Sequence, residues 1–400
     1  MKKTIYAIIA VAAALGCGPV LTSCEQTDAE RDKDATPHID YVRVTDPAAA
    51  DSLLVEATLG SQIVLMGSNL GNVQEIWFND QKAKLNPTLI TSFSIIVDVP
   101  DEIPTEVTNE IRLRTGKGKE CVYPFGVRVP NPLVRAISCE YAKPGDEITI
   151  EGDYFIEPEV RFAGASSAAQ LTKASQKSIS LIVPEGTVEG PVTIKSIYGT
   201  TRTKFNFMDT NGMICNFDDG YVNPWGRGVI VSGADDAISG NYVIFETAAC
   251  NAWNWDETLM WGYWAYDATS KGVRPIAQGN VNELALKFEV NIETWSDVPM
   301  LLWFQKNTPG GNISPDDDYP QAHWKPWIKN GARTDAKTDG WQTVTIPLSD
   351  FKYDKEEKKD NMAIDDIANY TDFNVMIFGA CETPGPIKVK CDNFRIVRIK

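Results

Sequence analysis

The stretch Ile63-Val64-Leu65-Met66-Gly67-Ser68-Asn69-Leu70 decides the fold of the first half of this chain, because the same pattern occurs twice. About 84 residues later the sequence is Ile148-Thr149-Ile150-Glu151-Gly152-Asp153-Tyr154-Phe155. In both copies an apolar run ends at a glycine, which lacks a Cβ and can therefore adopt a positive φ. Alternating apolar and polar side chains place one face of each run in a core. The repeat predicts two small β-sandwiches in tandem.

Each copy continues through a second strand, Val73-Gln74-Glu75-Ile76-Trp77-Phe78-Asn79 in the first and Pro158-Glu159-Val160-Arg161-Phe162-Ala163 in the second. A strand ending in Val-Pro and a closing strand with phenylalanine follow in both. This pattern resembles the IPT/TIG immunoglobulin-like domain over nearly all of both copies. The resemblance implies two spacer domains, residues 37–128 and 129–208. We expect a semi-rigid joint at Val129-Pro130-Asn131-Pro132, because proline restricts the backbone.

The sequence after Met208 has a different composition. Ten of the eleven tryptophans lie between Trp225 and Trp341, and about eight short strands can be placed in residues 209–400. This predicts a β jelly roll, so that the whole chain is expected to be all-β. The first and last strands resemble those of carbohydrate-binding modules, which are neighbours and often share a structural calcium. That resemblance implies Asp218, Asp219 and Asp392 as calcium ligands, with a solvated turn as the alternative.

The N-terminus predicts an export signal. Met1-Lys2-Lys3 precedes an apolar run, Ile5 to Leu15, that is too short to span a bilayer. Leu21-Thr22-Ser23-Cys24 resembles a lipobox, which implies that residues 1–24 are a lipoprotein signal and that Cys24 carries the lipid. Residues 25–36 are polar and charged, which is typical of a flexible tether. Their acidic start resembles the surface-export signal of lipoproteins in glycan-degrading Gram-negative gut bacteria, which implies display on the outer membrane.

Charge, cysteine and histidine usage exclude several function classes. The net charge of −16 disfavours a nucleic-acid partner, because an acidic surface repels phosphate. The six cysteines beyond the signal contain no CxxC pair, which argues against zinc, and both disulfides and free thiols stay open for Cys121, Cys139, Cys215, Cys250, Cys381 and Cys391. Two histidines, His38 and His323, are too few for a histidine-rich metal site.

The tryptophans predict a sugar-binding surface. A flat indole removes the weakly polar face of a pyranose from water and meets its C–H groups with a negative π-face. Tryptophans are dense in residues 253–266 and again in His323-Trp324-Lys325-Pro326-Trp327, which lies in a long polar loop. The predicted glycan contacts are Trp253, Trp255, Trp261, Tyr263, Trp264, Trp324 and Trp327, with Asn254 and Gln305 as polar contacts to hydroxyls.

The lipobox, the repeats and the tryptophan-rich domain together resemble the second surface glycan-binding protein of polysaccharide utilisation loci, which is encoded beside an outer-membrane TonB-dependent transporter. The resemblance implies non-catalytic capture of a polysaccharide, with a β-glucan (β-1,3-linked, mixed-linkage or related) as the expected ligand and the transporter complex as a further partner. It implies no cofactor beyond the structural calcium.

The sequence leaves open two alternatives to glycan binding, an enzyme and a protein-binding adhesin. A jelly-roll glycoside hydrolase needs two carboxylates about 5 to 9.5 Å apart, and the Glu-x-Asp-x-Glu strand typical of such β-glucanases is absent. A surface adhesin would instead use the tryptophan cluster as an interface with a protein partner.

Overall fold

The computed structural model describes residues 27–218, 228–264, 275–306, 314–315 and 318–399. The chain divides into two compact units, Met1–Val129 and Pro130–Lys400. Apart from one turn of α-helix, α1 (Asp28–Arg31), and six short 3-10 helices, the described elements are strands, which confirms the all-β fold class. The 3-10 helices are Pro47–Ala49, Pro87–Leu89, Glu257–Leu259, Val281–Glu283, Leu348–Asp350 and Ile367–Asn369. None of the helices described is long and apolar enough to cross a membrane.

The first unit is an immunoglobulin-like sandwich. Its strands are β1 (His38–Val44), β2 (Leu53–Leu54), β3 (Glu56–Thr58), β4 (Gln62–Ser68), β5 (Val73–Phe78), β6 (Gln81–Lys82), β7 (Ser94–Asp98), β8 (Glu110–Thr115), β9 (Glu120–Pro124) and β10 (Gly126–Arg128). One sheet has the order β2-β1-β4-β7 and the other β6-β5-β8-β9, while β10 pairs in parallel with β3. Val42, Leu65, Ile76 and Leu113 are buried and fill the core between the sheets.

The glycine of the repeat has a different role from the one that the sequence predicts. A Cβ on Gly67 would lie 1.9 Å from the carbonyl oxygen of His38, and one on Gly152 would lie 1.8 Å from that of Leu133. Neither glycine has a positive φ, and the left-handed positions fall two residues later, at Asn69 (φ 58°) and Tyr154 (φ 63°). The glycine therefore permits the first strand of each domain to pass close to the strand that carries the glycine, with which it pairs.

Residues 28–36, which we expected to be a flexible tether, are instead ordered against the first domain. The backbone N–H of Gly71 donates to the buried carboxylate of Asp32 (2.9 Å). Two side-chain amides reach back to the same segment, from Asn69 to the carbonyl of Thr36 and from Asn72 to that of Lys33. The prediction of flexibility is wrong from Asp28 onward, because hydrogen bonds to a neighbouring turn order a segment whose composition alone is typical of disorder.

The second unit begins with another immunoglobulin-like sandwich. Its strands are β11 (Leu133–Ile137), β12 (Glu147–Asp153), β13 (Glu159–Arg161), β14 (Gln170–Ala174), β15 (Ser178–Ile182), β16 (Gly190–Ser196) and β17 (Gly199–Phe207). The sheet orders are β11-β12-β15-β14 and β13-β16-β17. Ile150, Leu181 and Ile194 form its core with Phe162 and Phe207, whose rings pack T-shaped at 5.0 Å.

The C-terminal domain is a larger two-sheet sandwich. Its strands are β18 (Met213–Cys215), β19 (Val229–Val231), β20 (Tyr242–Cys250), β21 (Met260–Tyr263), β22 (Leu284–Thr294), β23 (Met300–Gln305), β24 (Gln321–Trp324), β25 (Ile328–Lys329), β26 (Ala332–Arg333), β27 (Gln342–Pro347), β28 (Asp372–Ile377) and β29 (Gly385–Arg398). One sheet has the order β19-β20-β29-β22-β27, with β18 paired to β29, and the other has the order β21-β28-β23-β24. Strands β25 and β26 form a separate ribbon. The first and last strands are neighbours, as the sequence predicts.

A buried charge network joins the second immunoglobulin-like domain to the C-terminal domain. Glu140 comes from the former, and Lys287, Glu289 and Arg395 come from β22 and β29 of the latter. All four side chains are almost completely buried. Arg395 donates to Glu140 (2.9 Å) and to both oxygens of Glu289 (2.7 and 3.0 Å), and Lys287 pairs with Glu140. The two domains therefore share a polar core and lie within one compact unit.

Backbone and aromatic contacts reinforce this junction. The Glu140 N–H donates to the Thr343 hydroxyl (2.7 Å), which itself donates to Glu289 (2.9 Å). The Arg395 guanidinium lies 4.8 Å from the centroid of the Tyr141 ring, and the Lys287 ammonium lies 3.9 Å from that of Phe205. Each buried cation thus faces both a carboxylate and a ring, which offsets part of its desolvation cost.

Candidate glycan-binding cleft

The two tryptophan clusters of the sequence meet at one end of the C-terminal domain. Trp253 from the first and Trp327 from the second line the same cleft, which has a volume of about 410 Å³. We call it the end cleft. The rest of its lining comes from Asp297, Pro299, His323, Lys325, Ile328, Arg333, Lys355, Glu356, Glu357, Gly379, Ala380, Cys381 and Glu382.

One wall of the end cleft is the loop after β20. Trp253 has a left-handed backbone (φ 56°), and its N–H donates to the carbonyl of Gly379 (2.8 Å). Trp253 and Trp255 are 43% and 50% exposed, and both pack T-shaped on Phe378, at 5.4 and 6.5 Å between ring centroids. Asn254 lies exposed between them. A shared aromatic support thus holds two indoles at the surface, where they remain available to a ligand.

The opposite wall follows β24. Trp327 is half-buried, and its carbonyl accepts from the N–H of Thr334 (2.8 Å). The ribbon β25–β26 begins directly after it and brings Arg333 to Asp297 (3.1 Å). Hydrogen bonds from the N–H of Thr383 and from Arg333, together with the Cys381 thiol, outweigh burial and lower the pKa of Asp297. This wall therefore presents one indole and an ionised carboxylate that is already bonded.

A second bonded carboxylate lies beside His323. Glu357 accepts from Lys325 (2.6 Å) and from Nδ1 of His323 (2.8 Å). Burial raises the pKa of Glu357, but these two partners outweigh burial and lower that pKa overall. Burial lowers the pKa of His323, and Glu357 offsets only part of this effect. A neutral His323 that donates from Nδ1 leaves Nε2 as an acceptor, and this atom is buried without a hydrogen-bond partner among the described residues.

Two of the predicted sugar-contacting aromatics lie in the core instead. Trp261 and Tyr263 are 1% and 5% exposed, and Trp261 stacks on Phe394 at 5.9 Å. The sequence prediction for these two is wrong, because side chains alternate along β21 and these positions face the opposing sheet. Trp324 is only partly buried, although it packs T-shaped on Phe288 and Trp295, and its contact with a glycan stays a prediction.

Trp264 and Gln305 lie on the other face of the sheet β21-β28-β23-β24. Trp264 is fully buried and donates from its indole nitrogen to Asn374 (3.0 Å), whose amide in turn donates to Gln305 (2.8 Å). Gln305 is 2% exposed. Neither side chain presents a surface to a ligand, so the structure contradicts their prediction as glycan contacts.

The sequence patterns do not indicate the segment from Gly379 to Glu382, which lines the cleft, or Phe378, which supports Trp253 and Trp255. They follow β28, more than a hundred residues after the first tryptophan cluster, and carry no aromatic-and-amide pattern of their own. Phe378 continues the alternation of an apolar strand, so that its sequence indicates a core residue. Only the pairing of β21 with β28 places it under Trp253 and Trp255.

The predicted calcium site lies only partly within the described residues, which hold Asp218 and Asp392. Asp392 is buried and accepts from the Ser239 hydroxyl (2.8 Å) and from the N–H of Asn393 (2.7 Å), and burial raises its pKa to about 8. Asp218 is exposed and accepts from the N–H of Asn241 (2.7 Å). Within the described ranges no group of three or more histidine, cysteine, aspartate or glutamate residues is placed to hold a metal. Asp219 lies outside those ranges, and the calcium stays a prediction.

Among the described residues, five of the cysteines that the sequence leaves open are free thiols: Cys121, Cys139, Cys250, Cys381 and Cys391.

Comparison with known proteins supports the architecture just described. Residues 207–398 match the family described as the surface glycan-binding protein B xyloglucan binding domain. The crystal structure of the surface glycan-binding protein PbSGBP-B from Prevotella bryantii is similar with a TM-score of 0.80 and 28% identity, over 91% of this chain and 99% of that one.

An IPT/TIG domain-containing protein of Bacteroides ovatus is 37% identical over 156 residues, which are 38% of this chain and 31% of that protein. The chain thus spans about a third of the length of that relative. The C-terminal family match, the similarity to PbSGBP-B over nearly all of both chains and the IPT/TIG relative agree. Residues 207–398 therefore match the xyloglucan-binding-domain family of surface glycan-binding protein B, and the chain as a whole is similar in structure to a surface glycan-binding protein.

Proposed function

We propose that this chain binds a β-glucan at the cell surface without cleaving it, and that the end cleft of the C-terminal domain supplies the binding platform. The observation that carries the proposal is the pair of exposed indoles, Trp253 and Trp255, held on Phe378 beside the cleft that Trp327 closes. Large indoles are usually buried, so two neighbouring exposed ones mark an interaction surface. Asn254 between them offers an amide to sugar hydroxyls.

Two of the four carboxylates that line the end cleft, Asp297 and Glu357, support binding over hydrolysis. A glycosidase needs a carboxylic acid whose pKa is raised, so that it can protonate the leaving oxygen. Asp297 and Glu357 have lowered pKa values and are each engaged in an ion pair. These two groups are ionised at neutral pH and do not fit the role of a general acid.

Xyloglucan and mixed-linkage glucan are the first ligands to test, followed by a β-1,3-glucan. The family that matches residues 207–398 is described by xyloglucan binding, and all three polymers present the flat β-linked glucose faces that indoles stack on. We further propose that a lipid on Cys24 anchors the chain in the outer membrane and that the bound glycan passes to a TonB-dependent transporter.

The test is calorimetry of the mature chain without lipid against the three glucans and a mannan. We expect Trp253→Ala, Trp255→Ala and Trp327→Ala each to lower the association constant about tenfold, equivalent to about 1.4 kcal/mol, and the double variant at 253 and 255 to abolish measurable binding. Trp77→Ala is the matched control, because Trp77 is a half-exposed indole of the first domain. It should leave the affinity unchanged.

Three results would overturn the proposal. Wild-type affinity in all three cleft variants would place the glycan elsewhere. Steady release of new reducing ends from any of the glucans would show that the chain is a hydrolase. No affinity for any polysaccharide would favour the adhesin alternative.

A further inference from the structure

An exposed phenylalanine lies at one end of the first domain. Phe93 is 62% exposed in the turn before β7. The same end carries the turn between β4 and β5 and the start of β1, because His38 pairs with Ser68. The chain leaves the domain at the opposite end, through β10. Phe93 is therefore at the end where the N-terminal segment enters.

That N-terminal segment is built into the domain. The N–H of Ser92 donates to Asp28 (3.0 Å), and the N–H of Gly71 donates to Asp32 (2.9 Å). A Cβ on Gly71 would lie 2.6 Å from the carbonyl carbon and oxygen of Asp28, so that only glycine permits this approach. The segment from Asp28 onward moves with the domain.

The docked segment brings the first described residues, from Thr27 onward, close to Phe93. Cys24 is three residues before Thr27, and three extended residues span at most about 11 Å. The guanidinium of Arg31, in helix α1, lies 5.6 Å from the centroid of the Phe93 ring. A chain that is anchored at Cys24 therefore holds this turn within reach of the membrane surface.

The second immunoglobulin-like domain lacks this feature. Gly67 donates to the carbonyl of Phe93 (3.0 Å) in the first domain, and Gly152 donates to the carbonyl of Lys177 (2.9 Å) in the second. These bonds make Phe93 and Lys177 equivalent positions of the repeat. The exposed aromatic occurs in the copy beside the anchor and is replaced by a charged residue in the copy farther along the chain.

Charge and shape at this end also fit a lipid surface. Residues 28–34 with 117–119 contain four acidic side chains and four basic ones, whereas the whole chain has 54 acidic against 38 basic residues. Next to Ala29, the residues Val73, Leu85, Pro87 and Ile90 line an open hollow of about 560 Å³. A locally neutral surface with an exposed ring and apolar walls can approach lipid without the repulsion expected for the rest of the chain.

We propose that this end of the first domain rests on the lipid surface, with Phe93 inserted at the level of the headgroups. The proposal rests on the lipid anchor at Cys24. It makes the first domain a base held against the membrane, in place of a sandwich on a loose tether.

Photo-crosslinking of the lipidated chain tests the proposal. The variant Phe93→p-benzoylphenylalanine is reconstituted in vesicles of phosphatidylethanolamine and phosphatidylglycerol, irradiated and analysed by mass spectrometry of the peptides. The matched control is Val107→p-benzoylphenylalanine, which is also exposed (44%) but lies in the loop at the opposite end of the domain. We expect lipid adducts at position 93 to exceed those at position 107 about tenfold. A Gly71→Ala change in the position-93 variant should reduce the adducts, because it displaces Asp28.

Different results would contradict the lipid anchor at Cys24 and the lipid contact of Phe93. If the mass of the mature chain shows no lipid on Cys24, the anchor itself is wrong and this inference falls with it. If Cys24 carries lipid but positions 93 and 107 give equal adducts, or position 93 gives adducts to protein, the anchor stands and the lipid-contact surface is overturned.

Discussion

The two immunoglobulin-like domains share a repeat, but one equivalent position is exposed to solvent in the first domain and buried in the second. In the first domain the N–H of Gly126 donates to the carbonyl of Val55, and in the second that of Met208 donates to the carbonyl of Glu140. The Val55 side chain is 79% exposed, whereas Glu140 is 2% exposed and pairs with Lys287 and Arg395. The backbone of the fold tolerates either residue. In the second domain the side chain at this position joins the sandwich to the C-terminal domain.

Deleting the second immunoglobulin-like domain should have the largest effect on the stability of the C-terminal domain. A fragment of residues 209–400 leaves Lys287 and Arg395 without Glu140, on a surface that is normally buried. We expect it to be far less stable than residues 130–400, or to aggregate, whereas residues 130–400 retain full glycan affinity. Thermal unfolding and calorimetry of the two fragments provide the measurement. Equal stability of both fragments would show that the junction is only a contact.

The variant Glu140→Ala tests the same point with one side chain. It leaves two buried cations with a single carboxylate, and breaking a buried ion pair costs about 3 to 5 kcal/mol. Val55→Ala, at the equivalent exposed position, should change the free energy of unfolding by less than about 0.5 kcal/mol. Urea unfolding of the separate units gives both values. A loss below about 1 kcal/mol for Glu140→Ala would contradict the assigned role of the network.

Alkaline pH should lower the free energy of unfolding of the second unit, which contains the buried thiols of Cys139 and Cys391. Burial raises the pKa of Cys139 to about 12 and that of Cys391 well above its usual value. Since the unfolded thiols ionise near pH 9 and the folded ones do not, the stability due to the neutral thiols is lost as the pH rises above 9. We expect residues 130–400 to lose about 1 kcal/mol per buried thiol at pH 10. Cys139→Ser with Cys391→Ala should flatten this slope in urea unfolding between pH 8 and 10, and an unchanged slope would contradict the assignment.

The smallest expected effect concerns the segment docked on the first domain. Asp32→Ala removes the acceptor of the Gly71 N–H and should destabilise the docked segment by about 1 kcal/mol. Amide hydrogen exchange of residues 28–36 should quicken while that of the sandwich core stays slow. Asp40→Ala, which removes an exposed carboxylate of β1, serves as the control. Exchange that is fast in the wild type would mean that the segment is a loose tether after all.

Much of the fold was predictable because it depends on local patterns. The alternation in Ile63–Leu70 and Ile148–Phe155, and its recurrence, indicate two sandwiches without any knowledge of long-range contacts. The same patterns could not separate core from surface tryptophans. Trp261 and Trp253 both lie in the tryptophan-dense stretch 253–266, yet one is buried between sheets and the other is exposed.

Four features can be read from the sequence alone: a lipobox-like start, a β repeat, a net acidic charge and a domain rich in tryptophan. These features depend on composition and on periodicities of a few residues, which a single chain displays directly. The tertiary structure is needed to see which tryptophans share a cleft and that Phe378 supports two of them. It is also needed to see that Glu140 joins two domains and that residues 28–36 are docked on the first domain. Each of these depends on residues brought together from distant parts of the chain, and strand pairing, not sequence spacing, sets those distances.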